Sequence, residues 1–327
     1  MKLAVIGCTG LVGNVVLKVI EELKLPISEL ILVASEKSIG KKISLLSKKI
    51  EIESIENAIL KSPHIAIFCA GGDISKKWAP KFAQKGITVI DNSSAWRMDD
   101  EVPLIVPEIN GHILNKSHKL IANPNCSTIQ MVLALKEIHL NFNIERIVVS
   151  TYQSVTGTGA AAVKQMMNER NNVEGEKVYP HAIDKNCFPH GGDFLPNGYT
   201  TEEMKLVNET QKILDSPKIK ITSTVVRIPV IGGHSMAVNI ETTKKFEIDD
   251  IYEVLKSTPG IVIKNDNLNF DYPMPITVKD KNEVFVGRIR RDNTIKNGLN
   301  LWIVADNLRK GAATNAVQIA QKIINLY

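Results

Sequence analysis

No stretch of the chain reaches the roughly 18 consecutive apolar residues that a membrane-crossing helix needs, so no span is expected. The apolar run behind Lys2 ends at Cys8, is too short for a secretory signal and passes straight into a helix, which points to the cytoplasm. Cysteine is scarce. Cys8, Cys69, Cys126 and Cys187 have no CxxC pairing and no metal-finger spacing, as suits reduced thiols in a cytosol. Charge of one sign is never massed: the formal +5 comes from interspersed Lys and Arg, with nothing like a nucleic-acid-binding stripe. His181, His190 and Asp193 match no common ligand spacing, so no metal is expected. Repeats and low-complexity tracts are missing too.

What remains is ordinary globular composition over 327 residues, enough for two domains with separate cores. Lys2 to Ile6 reads as a buried strand, followed by Gly7-Cys8-Thr9-Gly10-Leu11-Val12-Gly13 and a helix from about Val12. Strand, glycine loop and helix are the setting of a dinucleotide site: Gly7 and Gly10 let backbone approach a pyrophosphate, and Gly13 lets helix and strand pack closely. A second strand over Glu29 to Ala34 ends at Ser35-Glu36-Lys37-Ser38, where the adenosine ribose is read. Hydroxyls and a cation suit the 2′-phosphate of NADP, whereas Glu36 leaves NAD open. Further strands, His64 to Ala70 and Ile87 to Asp91, end in Gly71-Gly72 and in a loop carrying Arg97, a candidate anion ligand. Strands alternating with helices over about 120 residues predict a doubly wound parallel sheet, with ligands at the strands' carboxyl ends.

The chain pivots at Asn123-Pro124-Asn125-Cys126-Ser127-Thr128. Asn-Pro is a turn signal, and Ile129, Val132, Leu133 and Lys136 follow at helical spacing. Cys126 therefore stands at a strand–turn–helix junction, where unpaired N–H groups and the positive helix end lower a thiol pKa from about 8.5 to roughly 3.5–7.5. Beyond it come a strand from Glu145 to Gln153 and the loop Ser154 to Gly159, read as a close backbone approach near the nucleophile. A helix follows to about Arg170, then a long ordered loop over 171–200. The helix after it carries Glu202 and Lys205 three apart on one face, an arrangement that surface ion pairs also show. A strand from Lys220 to Pro229 carries Arg227 and leads through Gly232-Gly233 to His234, the histidine best placed for acid–base work, with the next strand from Met236. A late antiparallel pair around Asn297-Gly298 and an amphipathic helix from Ala312 to Leu326 close the chain.

With these residues in hand the chain resembles the aspartate-β-semialdehyde dehydrogenase family nearly end to end. The resemblance is carried by GCTGLVG at 7–13, FCAGGDIS at 68–75, DNSSAWRM at 91–98, VPLIVPEIN at 102–110 and NPNCST at 123–128. It continues with YQSVTGTG at 152–159, NGYTTEEMK at 197–205, RIPVIGGHS at 227–235 and NGLNLWIVADNLRKGAATNAVQIA at 297–320. It implies a Rossmann-type NADP domain over 1–127 with 309–327, and a second α+β domain for catalysis and dimerisation over 128–308. It also implies a homodimer, with tetramers open, and NADP-dependent reductive dephosphorylation of L-4-aspartyl phosphate. Cys126 would be the nucleophile, His234 the acid–base group and Gln153 the residue orienting the acyl intermediate. Arg97 and Lys205 would hold phosphate beside Asn125; Arg227 would take the substrate α-carboxylate and Glu202 its amino group. The cofactor would lie on Gly7, Thr9, Gly10, Leu11, Val12 and Gly13, with Ser35, Lys37 and Ser38 at the ribose. Gly71, Gly72, Ser154, Gly157 and Asn307 would complete its site.

The chain departs from the family at Cys8, where Ala is usual, and at Lys37, where Arg is usual and a two-pronged grip on phosphate is lost. Cys187 lies in the variable approach to the long loop. The nearest rival, N-acetylglutamyl phosphate reductase, differs in the block after Asn-Pro. A non-catalytic NADP-binding paralogue would be favoured by loss of Cys126 or His234, and both are present.

Overall fold

The computed structural model describes residues 1–46 and 48–326, and the chain divides into two compact units, Met1–Asn125 with Ala312–Tyr327, and Cys126–Gly311. Among the described residues no helix is long and apolar enough to cross a membrane.

In the first unit β1 (Lys2–Ile6) runs into α1 (Leu11–Glu22) and β2 (Glu29–Val33). A hairpin of β3 (Lys42–Leu45) and β4 (Lys48–Glu53) follows, then α2 (Ile55–Leu60) and β5 (Ile65–Phe68). Next come α3 (Gly72–Gln84), β6 (Thr88–Asp91), α4 (Pro107–Asn110) and β7 (Leu120–Ala122). The seven-stranded sheet has the order β3-β4-β2-β1-β5-β6-β7 and is parallel except for the β3/β4 pair. In this hairpin the exposed Lys42, Ser44, Lys49 and Glu51 alternate with Ile43, Leu45, Ile50 and Ile52, which is how an edge strand reads.

The central strands are apolar throughout because both sheet faces are covered. Leu3 and Val5 join Leu30, Leu32, Ile65 and Ile67 in one core; Ala4 and Ile6 join Ile31, Val33, Ala66 and Phe68 in the other. The alternation is the period of two along a strand.

The second unit begins with α5 (Cys126–Phe142) and β8 (Ile144–Ser154), then α6 (Ala160–Arg170) and α7 (Thr201–Ile213). It continues through β9 (Lys220–Ile228), β10 (His234–Thr242), α8 (Ile248–Ser257) and β11 (Ile261–Ile263). The last elements are α9 (Pro275–Val278), β12 (Val284–Asp292) and β13 (Gly298–Ala305). Six strands form a mixed sheet in the order β11-β12-β13-β10-β8-β9, with β8/β9 and β11/β12 parallel. β10 starts two residues earlier than its apolar pattern suggests, since His234 already pairs with Ala305. The chain then passes a π-helical turn, Arg309–Ala313, into α10 (Thr314–Ile324), which returns to the first unit and packs Ala316, Val317, Ile319, Ala320 and Ile323 into the core around Leu3 and Val5.

Candidate active site

Cys126 is the first residue of α5 and is half-buried. The first turn of α5 carries no acid to offset the positive helix end beside the thiol. Gly311 backs onto it: a Cβ there would come within 2.9 Å of Cys126 Cβ. Gln153, buried near the end of β8, donates through Nε2 to Ser127 Oγ at 3.0 Å, so it is tied to the residue that follows Cys126.

His234 is fully buried at the head of β10. Its Nδ1 accepts a hydrogen bond of 3.0 Å from the backbone N–H of Ser154, whereas its Nε2 has no hydrogen-bond partner among the described residues. Burial, joined by the Arg227 charge and opposed by Glu202 and the Gly233 backbone, pushes its pKa down to about 3. Arg227 lies opposite Gln153 in the β8/β9 register and is also buried. Its Nη1 donates to Ser154 O at 2.7 Å, and its Nε has no hydrogen-bond partner among the described residues. Phe188 of the long loop exchanges backbone hydrogen bonds with Arg227 and fixes the strand from outside. A buried cation with donor capacity to spare is built to receive an anion.

The Ser154–Gly159 loop, read from the sequence as approaching the nucleophile, brings its backbone close to His234 and Arg227. A Cβ on Gly157 would lie 2.9 Å from His234 Nε2 and 3.1 Å from Arg227 Nη1. Ser154 Oγ accepts from Thr156 N and donates to Val230 O, and Thr156 Oγ1 donates to Asn307 Oδ1 at 2.9 Å. Glu202 and Lys205 pair at 2.7 Å on α7, with side chains only 14% and 29% exposed. That is drier than an ordinary surface pair. The helix is anchored beside them: Glu203 closes a capping box with Thr200 and accepts from Val225 N.

In the first unit the glycine loop turns back on itself, with Gly7 and Cys8 donating to Val33 O and Gly10 to Gly7 O. A Cβ on Gly13 would fall 2.1 Å from Gly7 O, so the loop lies flat on α1 only because that residue is glycine. α1 starts at Leu11 and Val12 behind an N-cap, Gly10, that makes no side-chain cap, and its first turn holds no acid. Such an end suits a pyrophosphate. A cavity of about 380 Å³ adjoins Gly7 and is lined by Ser35 and Glu36 on one side and by Ile74, Lys77 and Trp78 of α3 on another. Lys37 is exposed and is not among its walls. Lys77 was invisible to the ribose-loop pattern, although Ile74, Lys77 and Trp78 share one helical face. Gly71 and Gly72 form the start of α3. Arg97 is buried, with Nε donating to Asn123 O at 2.9 Å and Nη2 to Asn92 O at 2.8 Å. Asn125, also buried, immediately precedes Cys126.

The second unit thus gathers Cys126 with Gln153, and His234 with Arg227, Gly157 and Glu202, while Arg97, Asn125 and the glycine loop belong to the first. Residues 2–117 match the family described as semialdehyde dehydrogenase, NAD binding domain, and residues 135–310 match semialdehyde dehydrogenase, dimerisation domain. The chain is 49% identical to aspartate-semialdehyde dehydrogenase of Aquifex aeolicus over 99% of its own length and 98% of that protein's. It belongs to the aspartate-semialdehyde dehydrogenase family. A second member of that family, from Bacillus subtilis, is 41% identical over 100% of this chain and 98% of its own. The crystal structure of aspartate semialdehyde dehydrogenase II from Vibrio cholerae superposes with a TM-score of 0.95 at 43% identity, covering 100% of this chain and 99% of that one. The same Vibrio enzyme is also known complexed with ASA. The resemblance read from the sequence motifs and the α/β architecture with a second sheet domain are both borne out.

Proposed function

We propose that the chain catalyses the NADPH-dependent reductive dephosphorylation of L-4-aspartyl phosphate to L-aspartate 4-semialdehyde, the step feeding lysine, threonine and methionine synthesis. The observation that carries this reading is a thiol at a helix head, backed by Gly311, in a unit whose buried Arg227 and His234 each keep one nitrogen without a partner among the described residues. Cys126 displaces phosphate from the acyl phosphate to form a thioester; a thiolate is wanted because it attacks readily and leaves readily. Gln153 orients that acyl group. Arg227 holds the α-carboxylate and Glu202 the amino group, while Arg97 and Lys205, with Asn125, hold phosphate. NADPH supplies the hydride when bound, along the glycine loop, with Ser154, Gly157 and Asn307 serving its nicotinamide end. A thiolate nucleophile calls for a reducing compartment, where we place the enzyme. The second unit would also form a homodimer, for which Leu268, Phe270 and Ile276 offer apolar side chains 90%, 74% and 80% exposed. The deciding assay is phosphate-dependent NADP⁺ reduction with aspartate semialdehyde against N-acetylglutamate semialdehyde; preference for the latter would reverse the substrate assignment.

The two anion sites separate kinetically. In the phosphorylating direction Arg227→Leu should raise the KM for the semialdehyde by about 10–100-fold, the loss of a charge-assisted contact of about 1.5–3 kcal/mol. Arg227→Lys should also be poor, since a point charge cannot replace a two-pronged one. Arg97→Leu should instead raise the KM for phosphate. It should also lower stability by about 1–3 kcal/mol, because Asn92 O and Asn123 O lose a donor. If each variant moved the other substrate's KM, the sites would be assigned backwards.

Cofactor choice is equally testable. Ser35 and the cations Lys37 and Lys77 favour NADP over NAD, so NADP should have the higher kcat/KM. Lys77→Glu should shrink that preference more than Lys37→Glu, because only Lys77 lines the cavity. Equal use of both cofactors by the unmutated enzyme would count against the 2′-phosphate reading.

A further inference from the structure

The first unit has a second cavity, of about 450 Å³, where α1 ends and β2 and β4 begin. β2 carries Glu29 and Leu30 at this cavity and leads at its other end to Ser35 and Glu36, which line the cavity beside Gly7. The two cavities therefore lie at opposite ends of one strand. Leu25, Ile27, Leu30, Leu46 and Ile50 form the apolar walls, and all five belong to or pack against the core around Leu3 and Val5. The core itself is the floor. None of the walls carries a group assigned above to cofactor or substrate.

The walls are held in place. Leu46 has a φ of 52°, a left-handed conformation that glycine or asparagine adopts far more readily than leucine. Its N–H is fixed by Glu21 Oε1 of α1 at 3.0 Å. Lys24, just past the end of α1, has a φ of 49°. Such conformations persist only where the surroundings impose them, and they collect at ligand clamps. The charges on the rim differ in how far they are engaged. Glu29 pairs with Lys2 at 3.3 Å and Glu21 takes the Leu46 N–H. Lys24 and Lys48 make no ion pair or side-chain hydrogen bond with any described residue.

We propose that this cavity binds a monocarboxylate with an apolar chain, the chain lying on Leu30 and Ile50 and the carboxylate held by Lys24 and Lys48. Apolar walls behind two uncommitted cations select an amphiphile with an anionic head. Two acids on the same rim repel a doubly charged head, which favours a carboxylate over a phosphate. The volume lies within the roughly 300–1,000 Å³ of small-molecule sites.

Calorimetric titration of the full chain with sodium octanoate at low ionic strength tests this. Binding should be saturable, with a Kd of about 1 mM or tighter, the range open to so small a ligand. Octanol should bind about fivefold or more weakly, and octylammonium more weakly still. Lys24→Gln combined with Lys48→Gln should weaken octanoate by about fivefold, and added salt should do the same to the unmutated chain. Both lysines are exposed, so this variant keeps the fold. Ile50→Trp should abolish binding by filling the cavity, with thermal melting as the check that the overpacked protein still folds. Octanol bound as tightly as octanoate, or octanoate affinity unchanged in the lysine variant, overturns the carboxylate assignment. Absence of saturable binding, or binding retained by a folded Ile50→Trp protein, overturns the site.

Discussion

Cys126→Ala is expected to lower kcat by about 10⁴-fold or more while leaving NADP affinity nearly unchanged. As the proposed nucleophile, Cys126 differs in setting from the other three thiols. Cys8 is buried in the glycine loop, where burial pushes its pKa up to about 11, and burial drives the Cys69 thiol higher still. Cys187 is exposed on the long loop. The glycine loop lies in a different unit from Cys126, which is why cofactor binding should survive. Iodoacetamide followed by peptide mapping is the companion measurement. Cys126 should be modified ahead of Cys8, Cys69 and Cys187, since the thiolate rather than the thiol reacts. Cys187 is the control for simple accessibility. If it reacts first and Cys126→Ala still turns over, the nucleophile lies elsewhere.

A single methyl group should do nearly as much harm at Gly157. In Gly157→Ala the new Cβ would sit 2.9 Å from His234 Nε2 and 3.1 Å from Arg227 Nη1, and neither group can retreat easily. His234 is held at Nδ1 by Ser154 N–H, and Arg227 at Nη1 by Ser154 O. The methyl would occupy the space in front of both side chains that the reaction requires, so kcat/KM should fall by about 10²–10³-fold. Thermal unfolding separates obstruction from collapse: Tm should drop by several degrees, the response to about 1–3 kcal/mol of overpacking, with the protein still folded at the assay temperature. Wild-type kcat/KM in this variant would show that neither Nε2 nor Nη1 meets substrate where proposed.

Much of the site could be read without coordinates, and the reason is local. The turn at Asn123-Pro124 and the helical spacing after it place Cys126 at a helix head, and the spacing of Gly7, Gly10 and Gly13 announces a loop against a helix. Such features need only a few consecutive residues. What escaped depends on pairing across the fold. Gly311 meets Cys126 because a π-helical turn far along the chain brings it there, and no pattern around Gly311 tells of that contact. The backbone N–H that meets His234 Nδ1 lies eighty residues away. Lys77 became a cavity wall because α3 turns one face toward the cavity that Ser35 and Glu36 also line. The β3/β4 hairpin was missed because its lysines resemble a solvated loop until Ile43 and Ile50 are seen opposite one another.

The return of α10 to the first unit sets a timetable for synthesis. Its residues complete the core around Leu3, Val5, Leu17 and Ile20, yet they are translated after the whole of the second unit. At 5–20 residues per second, the N-terminal strands wait on the order of ten seconds or more with one face covered only in part, by α1. During that interval the nascent sheet exposes apolar surface that a chaperone could shield and another nascent chain could grip. A circular permutant that places α10 immediately ahead of β1 would remove the wait. It should raise the yield of soluble protein during rapid expression at elevated temperature, leaving the finished enzyme unchanged.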